Sequence, residues 1–272
     1  MILTVHHVTT YRYGSPVRGA VQSLRLTPSV FEGQRVEDWQ IDVAGGLCGG
    51  AFRDGAGDWI EGWSIRGPAS EVTVTVSGTV ETADLTGMLR GHKETVAPMT
   101  YLRESVLTRA DAAVARIARA ATGKAIDVLD AAHKLSAAVG EAIAYKPGTT
   151  GMMTSAAEAV ALGEGVCQDH AHALIAAART VGMPARYISG YLHMDSEGNV
   201  HDAAHAWAEL WVDTLGWVGF DPANRCCPDE RYIRLGSGYD ARDAAPIRGV
   251  AQGGGAGTES MDVTVAVRSV QQ

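Results

Sequence analysis

In the stretch EVTVTVSGTVET, Val72, Val74 and Val76 alternate with Thr73, Thr75 and Ser77. A period of two sends the two sets to opposite faces of a strand, so this segment specifies a sheet with one buried face. Similar runs precede it: ILTVHHVTTYRY, VQSLRLTP, RVEDWQIDV and DWIEGWSI. Several strands at such short spacing predict an N-terminal β-sandwich over residues 1–85.

From Ala97 the pattern turns helical, beginning with MTYLRESVLTRADAAVARIARAAT. In IDVLDAAHKLSAAVGEAIAY, Val128, Ala132, Leu135, Val139 and Ala142 recur every three or four residues, giving one apolar helix face. KPGTTGMM reads as a loop from its Pro and Gly. Ser155 and Glu158 have the spacing of a capping box ahead of AAEAVAL. Gly163 to Gly165 ends that helix, and the next is expected from Cys167 to Val181, where GMP stops it. The strands ARYISGYLH, HAWAELWV and WVGFDP follow. The predicted class is therefore α+β, with a core over residues 97–250 in which a helix packs on an antiparallel sheet. Residues 251–272 read as a Gly-rich link, GGGAG, and a last strand, MDVTVAVR.

Charge narrows the partners. The net charge is −8 and the basic residues are scattered among acids, so no stripe exists for a phosphate backbone or an anionic membrane surface. No apolar run approaches the roughly 20 residues of a membrane-spanning helix. The opening residues show no basic segment followed by an apolar one. Cysteines at 48, 167, 226 and 227 do not form a disulfide framework, so a cytoplasmic protein with reduced thiols is expected. The adjacent Cys226 and Cys227 read as ordinary loop thiols, because a vicinal disulfide is strained.

The chemistry centres on GEGVCQDHAH. Cys167 opens a helix whose Ala171, Leu174, Ile175 and Ala178 recur behind it. Free N–H groups and the dipole at a helix start favour negative charge, which lowers a thiol pKa and supplies a nucleophilic thiolate. The N–H of Cys167 is also placed to donate to an oxyanion. His205 opens the strand HAWAELWV, where it shares a face with Trp207, Glu209 and Trp211. A hairpin with the loop Trp211–Leu215 would pair Leu210 with Gly216, Glu209 with Trp217, Trp207 with Gly219 and His205 with Asp221. Asp221 would then fix the tautomer of His205. Asp169, His170 and Trp207 are candidate substrate-pocket residues: two follow the nucleophile and the third shares the face of His205. Zinc is the rival for His170, His172, His201 and His205. The spacing of His201 and His205 converges only on a helix, and His170 and His172 do not share a helix face. No metal and no other cofactor is expected.

The segments GEGVCQDHAHALIAAARTVGMPARYISGY, HAWAELWV and GWVGFDP closely resemble the transglutaminase-like superfamily of papain-like fold. More narrowly, the chain resembles the bacterial transglutaminase-like cysteine proteases. TTYRYGSPV and LRLTP are similar to the start of their N-terminal β-sandwich, and PDERYIRLGSGYDARDAAPIRG to the stretch after their catalytic Asp. The resemblance covers nearly the whole chain and implies Cys167 as nucleophile, His205 as general base and acid, and Asp221 as orienting carboxylate. It implies a thiol peptidase or amidase acting on a peptide or protein through an acyl-enzyme. Transfer of the acyl group to an amine is the alternative, and a binding module that keeps the triad is the alternative of another class. His170 stands where the family often has an aromatic residue. The residues leave open the role of the N-terminal domain and the oligomeric state.

Overall fold

The structure is a computed structural model that describes residues 1–193, 204–253 and 260–270. Two long strands, β1 (Ile2–Leu24) and β4 (Trp59–Thr82), form the spine of the N-terminal sheet, with β2 (Gln34–Val43) and β3 (Gly46–Arg53) between them in sequence. β1 and β4 run antiparallel from Ile2 opposite Glu81 to Leu24 opposite Glu61, with register shifts between Arg12 and Gly19. β2 joins β4 on one side of this irregular stretch and β3 joins it on the other. Bulges bend strands and let them pass from one layer to another. Leu3, Val5, Val74 and Val76 from one row meet Ala20, Leu24 and Ile65 from the other in one apolar cluster. The alternation in VTVTV is obeyed: Val72, Val74 and Val76 are buried, while Thr73 and Thr75 are half-buried and Ser77 is exposed.

After a 3₁₀ turn at Pro98–Leu102 come α1 (Ala112–Thr122) and α2 (Val128–Ala142). Asp111 and Asp127 cap them by accepting first-turn backbone N–H groups. The helix expected from Ala97 thus begins later. Between the two, Ser105 and Thr108 bond each other and each other's backbone N–H, a local alternative to helix.

β5 (Ala144–Tyr145) and β6 (Glu164–Gly165) make a short parallel pair around α3 (Ala156–Leu162), which carries the capping box of Ser155 and Glu158. Then come α4 (Cys167–Thr180), β7 (Ala185–Leu192), β8 (Ala204–Val212), β9 (Gly216–Phe220) and β10 (Tyr232–Gly238). The four strands form an antiparallel sheet in the order β10-β7-β8-β9. Ala171, Leu174, Ile175 and Ala178 of α4 cluster with Ala206, Ala208, Leu210 and Val212 of β8. Burying Leu174 and Ile175 stabilises this packing by about 1.5–3 kcal/mol each.

The chain then returns to its beginning. β11 (Ile247–Gln252) pairs with Gly19–Leu24 of β1, and β12 (Ser260–Ser269) pairs with Leu3–Arg12. The C-terminal strand expected in MDVTVAVR therefore completes the N-terminal sheet, as does β11, which lay within the expected core. Residues 254–257 of GGGAG lie outside the described residues.

The joint between the two sheets is ionic. Arg186 of β7 is fully buried, donates from Nε to Glu209 Oε2 at 2.7 Å, pairs with Glu94, and lies 4.1 Å from the Trp217 ring centroid. Arg234 of β10 donates to Glu209 Oε1 at 2.8 Å and to Asp58 Oδ1 at 3.1 Å, reaching the turn between β3 and β4. Burial alone would raise the Glu209 carboxyl, but the charges of Arg234 and Arg186 reverse this and hold it at about 2. Among the described residues no helix is long and apolar enough to cross a membrane.

Candidate active site

The start of α4 is held in an unusual way. Val166 occupies the N-cap position and has no side-chain acceptor to offer. Asp169, two residues into the helix, supplies the acceptor: its Oδ2 takes the Val166 N–H at 2.8 Å and the Thr150 hydroxyl at 2.6 Å. Asp169 is almost fully buried by this arrangement. Cys167 is thereby fixed as the first helical residue, where backbone N–H groups lack intrahelical acceptors.

The neighbouring histidines serve other partners. His170 is buried, and its Nδ1 and Nε2 lie 2.9 Å from the carbonyls of Val166 and Ile143. It ties the helix start to the end of α2. His172 Nε2 accepts the Ala241 N–H at 3.0 Å, and burial lowers its pKa to about 4. His201 lies outside the described residues.

His205 comes from β8, and its hairpin differs from the expected one. β8 and β9 pair Val212 with Gly216, Trp211 with Trp217, Leu210 with Val218, Glu209 with Gly219 and Ala208 with Phe220. The loop is three residues, Asp213 to Leu215, not five. Leu215 N–H closes the turn on the Val212 carbonyl at 2.8 Å, and Gly216 follows at φ 84°. A glycine in that left-handed conformation is what a three-residue hairpin demands. The resulting shift is two residues, so face assignments survive. Asp221 sits just past β9 and reaches His205 diagonally.

The Asp221 carboxylate is surrounded by donors. Its Oδ2 accepts from His205 Nε2 at 2.6 Å, Asn224 Nδ2 at 2.7 Å and the Tyr232 hydroxyl at 2.8 Å. Its Oδ1 accepts the N–H groups of Ala223 at 3.0 Å and Asn224 at 3.2 Å. Burial alone would raise this carboxyl, yet the bonds from His205, Asn224 and Tyr232 bring it below the usual aspartate value. Burial likewise pushes the His205 imidazole down, while hydrogen bonds to Asp221 and Cys167 and their charges lift it to about 10. With Nε2 committed to Asp221, the Nδ1 side is left for Cys167.

Trp207 supports the imidazole from beneath. The two rings stack with centroids 6.4 Å apart, and Tyr232 meets Trp207 edge-on at 5.4 Å. Gly190 of β7, opposite His205, makes room for it. A Cβ there would lie 2.2 Å from the Ile233 carbonyl oxygen and 2.5 Å from Trp207 Cη2.

Cys167 and His205 open on a cleft of about 720 Å³ between the core and the N-terminal sheet. Gln168 and Tyr187 line it from the core, and His7 and Gln22 of β1 line it from the sheet. The N-terminal domain is thus a wall of the cleft. Asp169, His170 and Trp207, expected in the pocket, do not line it. Asp169 is occupied as a cap, His170 by two carbonyls, and Trp207 lies behind His205. No Asp, Glu, Lys or Arg lines the cleft among the described residues.

Sequence reasoning missed the partners of Asp221. Asn224 had a signal, since Asp-Pro-Ala-Asn is a turn pattern in which an Asp binds N–H groups just ahead of it. Tyr232 had none, because β10 brings it back from outside the turn. Cys226 and Cys227 are free thiols whose pKa values burial raises, that of Cys227 to about 11.

Comparison with known proteins bears on this geometry. The family model described as transglutaminase-like superfamily matches residues 115–222, and that of the bacterial transglutaminase-like N-terminal region matches residues 3–81. An uncharacterized protein of Mycobacterium leprae is 32% identical over 283 residues, spanning 97% of this chain and 98% of its own. A protein-glutamine gamma-glutamyltransferase of Pseudomonas aeruginosa is 37% identical over 71 residues, which is 24% of this chain and 11% of its own. The crystal structure of a candidate cysteine protease from Cytophaga hutchinsonii shares the fold, with a TM-score of 0.76 at 22% identity, over 100% of this chain and 91% of that one.

Proposed function

The chain belongs to the transglutaminase-like superfamily, and on that premise we propose that it is a thiol-dependent amide-bond hydrolase, a peptidase or amidase, working through Cys167, His205 and Asp221. The observation that carries this reading is the His205 imidazole, bonded to Asp221 through Nε2 and opening on the same cleft as Cys167. The Cys167 thiolate attacks an amide carbonyl carbon, a C–S bond forms, and the oxyanion faces the backbone N–H of Cys167. His205 gives its proton to the leaving nitrogen as the C–N bond breaks. Water then adds to the thioester, His205 takes the proton, and the C–S bond breaks to release the acid. The triad serves water and amines alike, so the acceptor is chosen by access.

The segment shared with the gamma-glutamyltransferase favours a second reading, transfer to an amine. The cleft supports water instead. An alkyl amine arrives as an ammonium ion, and among the described residues the lining has no carboxylate to receive it. The test is a library of peptides and amides offered to wild type and Cys167→Ala, reading hydrolysis and amine incorporation together. Hydrolysis that disappears in Cys167→Ala is expected. Turnover that survives the substitution removes the thiol mechanism, and dominant amine incorporation selects the second reading. Absence of any turnover leaves the binding-module alternative.

A further inference from the structure

We propose that the N-terminal sheet is the specificity wall of the cleft: it selects an uncharged, apolar segment of substrate, and Gln22 Oε1 accepts one of that segment's N–H groups. This rests on the thiol acyl-enzyme reading above.

Gln22 is out of place for its position. It lies on the same face of β1 as Ala20 and Leu24, both buried. Gln22 is itself 4% exposed, and its Oε1 is buried without a hydrogen-bond partner while the residue lines the cleft. A buried amide oxygen without a donor costs free energy in the empty protein, and a substrate N–H would recover it. The His7 ring on this wall is already satisfied. His7 has Tyr191 Oη at 2.7 Å on one nitrogen and Thr9 Oγ1 at 2.7 Å on the other.

Thr9, Tyr11 and Tyr13 of β1 also line this wall, and beside them its β11 and β12 part is apolar and open. Val250 of β11 and Met261 and Val263 of β12 line the cleft and are 75%, 50% and 39% exposed. The chain carries 31 acidic residues, yet none of them, and no Lys or Arg, lines this cleft among the described residues. A charged side chain seated against these strands would lose hydration and, among the described residues, meet no Asp, Glu, Lys or Arg on this wall. An aliphatic or aromatic side chain would bury against these strands, with the amide beside it within the reach of a lone acceptor.

Three N-acetyl dipeptidyl chloromethyl ketones, identical except for Leu, Glu or Lys at one position, test this without requiring turnover. Each alkylates Cys167 only after seating in the cleft, and iodoacetamide provides the small-reagent reference. The Leu reagent is expected to modify wild type at least about tenfold faster than the Glu and Lys reagents, relative to iodoacetamide. Gln22→Met should slow the Leu reagent about tenfold, the worth of one lost hydrogen bond. Gln22→Glu should raise the Lys reagent relative to the Leu reagent. Equal rates for the three reagents on wild type overturn the specificity wall and leave the thiol reading standing. An unchanged Leu rate in a folded Gln22→Met overturns the role of Gln22. If Gln22→Met does not fold, the wild-type comparison and Gln22→Glu decide. Failure of iodoacetamide to modify Cys167 overturns the thiol reading and this proposal together.

Discussion

Asp221→Asn is the change that tests the site most sharply, because the substitution is isosteric and the donors around it are counted. Oδ2 takes three side-chain donors and Oδ1 takes two backbone N–H groups. An asparagine offers one oxygen and one NH₂. If its oxygen replaces Oδ2, its NH₂ confronts the N–H groups of Ala223 and Asn224, and each unsatisfied buried donor costs about 1–3 kcal/mol. If its oxygen replaces Oδ1, its NH₂ faces His205, Asn224 and Tyr232. All three can adapt: the Asn224 amide turns over, the Tyr232 hydroxyl rotates, and the imidazole moves its proton to Nδ1. The second orientation is therefore the softer one, and it is the one that removes the base, since Nδ1 then presents a proton to Cys167. The equivalent change in a serine-protease triad lowers turnover by about 10⁴, through the wrong tautomer. A loss of about 10³–10⁴ in amide turnover is expected here, with the fold retained. The same loss of the imidazolium should slow iodoacetamide at Cys167 near pH 7, read by mass spectrometry of its peptide, with exposed Cys48 as internal reference. Wild-type alkylation together with turnover within about tenfold of wild type would refute the assignment of Asp221 as the group that sets the tautomer.

Three further outcomes follow from the same geometry. Glu209→Gln leaves Arg186 and Arg234 buried without their shared counter-charge and should cost about 3–5 kcal/mol in urea unfolding; a loss below about 1 kcal/mol would mean the pair is solvated. Gly190→Ala should displace Trp207 and the ring stacked on it, costing about 1–3 kcal/mol and slowing alkylation of Cys167; a variant unchanged in both measurements would show that the close approach is not needed. The stability difference between wild type and Asp221→Ala should depend on pH from both sides. His205 titrates at about 10 in the fold against 6.5 unfolded, so its contribution is complete below 6.5 and is lost as pH rises through 10. Asp221 is depressed from 3.8, so its contribution is complete above 3.8 and is lost as pH falls below it. Urea curves across pH should therefore show the largest difference between about 4 and 6.5, and a difference that grows toward pH 10 would contradict the pairing.

Much of this was legible in the sequence where one physical rule acts alone. The Val and Thr alternation at 72–77 marks a strand because one face must be dry. Cys167 could be placed at a helix start because GEG interrupts the helix before it and Ala171, Leu174 and Ile175 repeat after it. What failed needed information from elsewhere in the chain. Parity put Trp207 beside His205, but Gly190 on the neighbouring strand decides that Trp207 lies behind the ring and not in the cleft. MDVTVAVR reads as a strand, yet nothing in it names β1 as its partner. The β8–β9 register was missed by two residues, because a shift of two leaves every side chain on its own face and the apolar pattern is blind to it.

That degeneracy has a structural answer, and it connects the buried charges to the site. β8 presents Ala206, Ala208, Leu210 and Val212 to α4, all apolar, so a two-residue slip would still keep this face dry. The other face carries His205, Trp207 and Glu209, which are not interchangeable. Glu209 lies opposite Arg186 in the β7–β8 ladder and also bonds Arg234 from β10, so a slip of two residues would take this shared carboxylate from both buried guanidiniums and leave them only Glu94 and Asp58. Buried ion pairs contribute little net stability over well-packed apolar groups, but breaking one is expensive, and that asymmetry is what discriminates between registers. Arg234 continues to Asp58, so the strand bearing His205 is also set relative to the N-terminal sheet. His205 is then located by two unlike interactions: apolar packing holds its strand against the helix of Cys167, and the ion pairs choose which residue of that strand stands beside the thiol.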